Sequence, residues 1–442
     1  MVSKQELQEK QNENLKQEIL KKEEKALIFS EKFVKIENQV KKALSERQTD
    51  KALSDLTFGA LYLGVSDIHY EVYEYDVKVR FRIDWVLVSI FNLTKWEYKS
   101  ILERLKYSAN LKLNITNVPQ DWKYDLKIKL KDNAWDKKID VRVSTLPTKY
   151  GENVVSRLLD SSKAVVNFED LGFYWTTKRM IDRAISKNSW MILVTWPTGS
   201  WKTTTLYTIL NKINTPDKKI ITLEDPIEYE LPWVIQSEVN EKSGFTFEGG
   251  LKSLLRQDPD VIMVWEIRWK ETLDTATQAS LTWHLVLSTL HTKSAAETLD
   301  RIINMWLKPY IIASALDTII AQRLVRKICS HCKVEREKTP QDIAMIKAMM
   351  QEVWMKWMPV DHMKLYKWEG CTKCNNSWYS GRIWLFEIIT LNEKLSDLIR
   401  EWASSEEIVK NARDSDLILM KEDWILKALK GFTTLEEVLR VV

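Results

Sequence analysis

The spacing of apolar residues changes character along this chain, and the changes mark its parts. Residues 1–50 are rich in charge and free of glycine and proline. They read as a solvated helix or partly disordered arm. From 51 to 160 the pattern is that of a small α+β domain. A helical run over 51–63 ends at Gly64, a plausible residue for the position after a helix. Period-two alternation then predicts strands over 68–73, 77–83 and 86–91, a helix over 98–109, and strands over 124–130, 138–144 and 154–159. Residues 161–170 form a polar connector. From 171 to 325 apolar strands alternate with helices, which predicts an α/β unit with a parallel sheet. Its strands fall at 191–195, 219–223, 261–264 and 284–290, with a helix over 203–212. Residues 326–442 carry short amphipathic helices and two cysteine pairs.

Length and charge change this picture little. The 442 residues leave room for two or three domains. A net charge of +4 predicts no general attraction to nucleic acid. No 18-residue apolar run is present, and the amino terminus lacks the apolar stretch of a secretion signal. Four cysteines in such a chain fit a reducing cytoplasm.

Tryptophan usage changes it a great deal. The chain has 20 tryptophans and 11 glycines. Together they make up about 7% of the residues, the usual share of glycine alone. Asp84-Trp85 and Asp121-Trp122 border strand-like runs, where Asp-Gly would be a turn signal. Trp96 and Trp368 lie among charges, and Trp85, Trp122, Trp233, Trp283, Trp306 and Trp424 fall at expected turns or element ends. The sharpest case is Trp196-Pro197-Thr198-Gly199-Ser200-Trp201-Lys202-Thr203-Thr204. Glycine at 196 and 201 would make it G-x-x-x-x-G-K-T, a phosphate-binding loop between a strand and a helix. Indoles there would fill the space of the phosphate, because the loop wraps the anion with bare backbone N–H groups. One reading is that most of these positions are glycine in the living protein, as in bacteria that read the UGA codon as glycine. The other is a tryptophan-rich paralogue that has lost nucleotide binding.

Within that loop Lys202 would reach the β- and γ-phosphates, and the Thr203 hydroxyl would ligate Mg²⁺. Residues 260–266 form an apolar strand ending in Glu266, a candidate to orient the attacking water. Glu224, Asp225 and Glu228 follow another buried strand, where they would hold Mg²⁺ through water or orient the nucleophile. His284 and His291 bracket the strand at 285–290, and either could sense the γ-phosphate. Cys329/Cys332 and Cys371/Cys374 are two C-x-x-C pairs, the spacing of a tetrahedral Zn²⁺ site. The 38 residues between the pairs exceed the spacing of a compact zinc ribbon.

At these residues the chain resembles the secretion ATPases of type IV pilus assembly and type II secretion, over about 51–442. Further matching stretches are Ser66-Asp67-Ile68-His69, Arg80-Phe81-Arg82-Ile83-Asp84, Leu146-Pro147-Thr148 with Gly151-Glu152, Arg256-Gln257-Asp258-Pro259-Asp260, Ser288-Thr289-Leu290-His291-Thr292 and Ala321-Gln322-Arg323-Leu324. In that family glycine stands at the positions of Trp85, Trp122, Trp196, Trp201, Trp233, Trp265, Trp283 and Trp384. No family glycine is assigned to Trp96, Trp135, Trp175, Trp354 or Trp357.

The resemblance implies a PAS-like N-terminal α+β domain, a RecA-like ATPase core and a C-terminal zinc-binding and helical region. It names a Walker A loop at 196–203, an acidic box at 224–228, a Walker B strand ending at Glu266 and a histidine box at 284–291. Arg142 and Arg157 would reach the γ-phosphate from the N-terminal domain. It implies a cytoplasmic homohexamer with ATP, Mg²⁺ and Zn²⁺, seated on an inner-membrane platform protein and meeting the membrane only through partners. The expected work is pilin extrusion in type IV pilus assembly. Type II secretion or DNA uptake is the alternative, and an inactive scaffold subunit follows if the tryptophans are genuine. The cysteine pairs favour an assembly or export type over a retraction type. By the resemblance, the 50-residue arm is expected to stand where many assembly ATPases carry a large N-terminal docking domain.

Overall fold

The computed structural model describes residues 31–83, 86–129, 136–160, 166–173, 175–195, 202–352, 364–371, 373–374, 378–413 and 417–437. Elements are numbered among these residues. Helices α1 (Glu31–Ser45) and α2 (Thr49–Tyr62) form a hairpin. Then come β1 (Asp67–Val72), β2 (Val77–Ile83), β3 (Val86–Leu93), α3 (Lys95–Ser108), β4 (Gln120–Lys129), β5 (Asp136–Thr148) and β6 (Gly151–Asp160). These strands make one antiparallel sheet in the order β3-β2-β1-β6-β5-β4. Helix α3 starts cleanly because Thr94 and Glu97 cap each other reciprocally.

The second unit begins with α4 (Trp175–Ile185), β7 (Trp190–Thr195), α5 (Lys202–Ile213), β8 (Ile220–Glu224), β9 (Ile235–Glu238) and α6 (Phe247–Leu254). It continues through β10 (Val261–Val264), α7 (Lys270–Leu281), β11 (Leu285–Leu290), α8 (Ala295–Asn304), α9 (Pro309–Ala315) and β12 (Leu316–Ile328). The chain ends with β13 (Lys333–Arg336), α10 (Pro340–Glu352), β14 (Leu365–Trp368), β15 (Tyr379–Thr390), α11 (Glu393–Arg400), α12 (Ser405–Ala412) and α13 (Met420–Leu429). The large sheet runs β15-β12-β7-β11-β10-β8-β9, parallel except for β15 at its edge. Its central strands are buried on both sides, so they read as continuous apolar runs. Met191 and Leu193 enter the core on one face, and Ile192 and Val194 the core on the other.

Three features depart from the pattern-based expectations. Residues 31–45 are not a solvated arm, because Phe33, Ile36, Val40, Ala43 and Leu44 are buried in the core of the first sheet. Each large apolar side chain there contributes about 2 kcal/mol. The boundary at 325 cuts through β12, and β15 from the last third pairs with β12 in the large sheet. Trp424 lies inside α13 and is buried, not at an element end.

The backbone under several tryptophans is left-handed. Nine described non-glycine residues have positive φ, and six are tryptophan: Trp190, Trp233, Trp283, Trp306, Trp378 and Trp402. Trp402 follows the cap of α11, with its N–H bonded to Ile399 O at 3.2 Å and that of Ala403 to Leu398 O at 2.9 Å. This is the double bond pattern that closes helices on a left-handed residue, usually glycine. Gly431 closes α13 in the same way, through Ala428 O and Lys427 O, and Gly64 closes α2 through Leu61 O and Ala60 O. Trp283 and Trp306 stand at the equivalent positions after α7 and α8. Both residues are 82% exposed and Trp402 is 67% exposed, so little packing compensates the strain. The buried indoles of Trp384 and Trp424 both lack a hydrogen-bond acceptor, which is costly for a buried N–H. Trp402→Gly should therefore raise the unfolding free energy, by about 1 kcal/mol, the cost of a left-handed L-residue. Chemical denaturation at constant slope reads this, and a lowered midpoint would contradict it.

Candidate functional site at the strand ends

Parallel strands β7, β11, β10 and β8 all end at one edge of the large sheet, the edge where open α/β sheets bind ligands. At that edge β7 ends in Thr195 and α5 opens at Lys202. Strand and helix therefore flank the expected phosphate loop. Its residues Trp196, Pro197, Thr198, Gly199, Ser200 and Trp201 lie outside the described residues. Thr203 and Thr204 sit in the buried first turn of α5, whose free N–H groups and dipole favour an anion.

Two strands along, Glu266 emerges from β10. Its main chain is framed by neighbouring strands: Trp265 N–H donates to Leu223 O at 2.9 Å, and Ile267 N–H to Thr289 O at 3.0 Å. Thr289 Oγ1 donates to Trp265 O at 2.6 Å. Glu266 is buried, 7% exposed, and its carboxylate is held from both sides. His291 Nε2 lies 2.6 Å from Oε1, and Arg268 donates to Oε2 at 3.1 Å. The sheet thus brings together Glu266 and His291, both expected from sequence, and adds Arg268. In the sequence Arg268 is only a charge two residues from Glu266. His284 lies at the opposite end of β11, its ring against Ala279 O at the close of α7, away from this edge.

The acidic box splits into two roles. Glu224 is fully buried at the end of β8 and accepts from Tyr207, from Thr222 Oγ1 at 2.6 Å and from Gln236 Nε2 at 2.9 Å. Burial pushes its carboxyl above the usual range despite these donors. Its oxygens are engaged by protein, which places it as an anchor for the end of β8. Glu228 faces the N-terminal sheet. Arg142 donates to its Oε1 at 3.1 Å, with a second nitrogen 2.5 Å from Oε2. Burial raises the Glu228 carboxyl and Arg142 opposes the shift. Lys123, on β4, lies 3.9 Å from Glu238 and forms a second, exposed bridge between the units. Arg142 and Arg157 are direct cross-strand neighbours on β5 and β6, and Arg157 donates to Asp67 at 2.9 Å.

The four cysteines converge. Their sulfurs all lie within 4.8 Å of one another. Sγ–Sγ separations are 3.8 Å for Cys329–Cys371, 3.8 Å for Cys332–Cys374 and 3.7 Å for Cys371–Cys374. Those distances are far too long for disulfides. They match the edge of a tetrahedron with metal–sulfur bonds of about 2.3 Å, which is about 3.8 Å. The four thiols fit a metal ion such as Zn²⁺. Cys332 precedes β13 and Cys371 follows β14, and these strands pair antiparallel. The wide sequence spacing arises because α10 is inserted between the paired strands.

An antiparallel α+β unit is thus joined to an α/β sheet that carries a carboxylate–histidine pair at its strand ends. The family model for type II/IV secretion system proteins matches residues 38–440. The chain belongs to this family. It is 39% identical over 396 residues to the type IV pilus assembly ATPase PilB of Thermus thermophilus, covering 90% of this chain and 43% of that protein. It is 41% identical to PilB of Pseudomonas aeruginosa, covering 89% of this chain and 67% of that protein. With the type II secretion system protein E of Aeromonas hydrophila it shares 41% identity, covering 85% of this chain and 72% of that protein. The chain therefore spans less than half of the Thermus relative. Among solved structures, the pilus retraction motor PilT with bound ADP superposes with a TM-score of 0.57 at 25% identity, covering 88% of this chain and 96% of that one. The Legionella pneumophila ATPase DotB shares the fold with a TM-score of 0.61 at 20% identity, covering 87% and 93%. No described helix is long and apolar enough to cross a membrane.

The cysteine geometry predicts one bound Zn²⁺ per chain. Removing it with a chelator should lower the melting temperature and expose the C-terminal third to protease. A folded preparation with no metal by elemental analysis would contradict this.

Proposed function

We propose that this chain is an ATP-driven motor that powers pilin extrusion in type IV pilus assembly. The observation that carries the reading is the Glu266–His291 pair, set at the strand edge beside β7 and α5. The identity to pilus assembly ATPases supports the substrate class. ATP binds at the 196–204 loop, with Lys202 on the β- and γ-phosphates and the Thr203 hydroxyl on Mg²⁺. Glu266 orients the attacking water, and His291 reports the γ-phosphate to it. Glu224 holds the end of β8 and reaches Mg²⁺ through water. Arg142 and Arg157 reach the γ-phosphate from the PAS-like N-terminal sheet when it closes on the RecA-like core. Six copies form a ring at the cytoplasmic face of the membrane, against an inner-membrane platform protein. The 41% identity to a type II secretion system protein E supports a motor of type II secretion as the second reading.

We also propose that positions 196, 201 and 265, and the six left-handed tryptophan positions, are glycine in the natural protein. The φ values and the helix-closing hydrogen bonds support this. If the tryptophans were genuine, an inactive ring subunit would be the better account.

The test compares the printed chain with a version carrying Trp196→Gly, Trp201→Gly and Trp265→Gly. The glycine version should hydrolyse ATP, and Glu266→Gln in it should lower kcat by at least a hundredfold. Equal hydrolysis by the two versions would contradict the phosphate-loop argument.

A further inference from the structure

The β7–β11 ladder ends at Thr195 and Leu290. His291 lies one residue beyond, yet its imidazole is set on Glu266. Something past the ladder must hold the chain there. Thr195 is fully buried, and its hydroxyl meets the main chain of Thr292 on both sides. Thr292 N–H donates to Thr195 Oγ1 at 3.0 Å, and Thr195 Oγ1 lies 3.1 Å from Thr292 O. It also contacts Thr292 Oγ1. On its far side Thr292 Oγ1 meets Thr298 Oγ1 at 2.7 Å and Ser294 O at 3.2 Å, at the start of α8. The side chain of Thr195 thus extends the ladder by two residues.

We infer that Thr195 is a positioning residue: its hydroxyl clasps the Thr292 main chain and so fixes His291 against Glu266. The clasp starts at the last strand residue before the phosphate loop. Glu266 is fixed independently to β11, the strand that leads into His291, through the Thr289 contacts to Trp265 and Ile267. With both ends pinned, the histidine and the carboxylate share one frame. The consequence for catalysis rests on the proposed ATPase reading, whereas the placement of His291 does not.

Two readouts separate these. The first is the rate at which diethyl pyrocarbonate modifies His291 in the full chain, followed by peptide mass. His291 is 37% exposed, but its Nε2 is engaged by Glu266. Thr195→Val should release it and speed modification several-fold, as Glu266→Ala should, whereas Thr195→Ser should match the parent. An unchanged rate in Thr195→Val or in Glu266→Ala would overturn the inference. The second is ATP hydrolysis by the chain carrying glycine at 196, 201 and 265. Thr195→Val should lower kcat about tenfold at unchanged KM for ATP, the effect of one lost buried hydrogen bond. Thr195→Ser should restore it. In a His291→Ala background Thr195→Val should add no further loss. Equal losses in both backgrounds would mean that Thr195 acts on the phosphate loop and not through His291. Altered labelling without any ATPase in the parent would leave the placement standing and sink the motor reading.

Discussion

A triphosphate can be wrapped by main-chain N–H groups only where the main chain carries no side chain at its tightest turns. In this protein that constraint falls on positions 196 and 201. The same constraint is visible elsewhere in the fold, where it can be read directly. Among the described residues, three helices end on tryptophans in the left-handed conformation that Gly64 and Gly431 adopt at other helix ends. An L-residue there pushes its Cβ toward a carbonyl oxygen, and an exposed indole recovers little by packing. Bare backbone would remove the strain at the helix ends, and at 196 and 201 it would leave room for the phosphate.

The rest of the site follows from strand order. β7, β11, β10 and β8 are neighbours, so residues from four distant stretches of sequence reach one edge. Hydroxyls then fine-tune the strand exits: Thr195 on Thr292, Thr289 on Trp265, and Thr222 on Glu224. The N-terminal sheet reaches this edge through Arg142, which is held by Glu228. In the proposed cycle Arg142 leaves Glu228 for the γ-phosphate. Nucleotide then shifts the two units toward closure only by the difference between those two contacts. The cysteine cluster ties β13 and β14 to the end of β12.

Much of this was legible in the sequence. The buried strands β7, β10 and β11 showed as solid apolar runs, and the glycine-corrected motif fell between a strand and a helix. The cysteines announced their convergence through paired spacing. Other features were hidden for physical reasons. The closeness of His291 and Glu266 depends on the register of two parallel strands, which sequence spacing does not encode. The engagement of Glu224 by Tyr207 and Gln236 depends on α5 and β9 packing together over the end of β8. The joining of β15 to β12 is a long-range antiparallel pairing placed after the cysteines. Helix α1 is legible as a helix, but its burial is hidden because charge masks a regular stripe: Phe33, Ile36, Val40 and Leu44 repeat at helical spacing.

Mass spectrometry of the protein purified from its own cells tests the central claim most directly. The peptide spanning residues 191–212 should carry glycine at 196 and 201, with the mass deficit of two missing indole side chains. A peptide with tryptophan at both positions would contradict the account, because the loop could not then close on a phosphate.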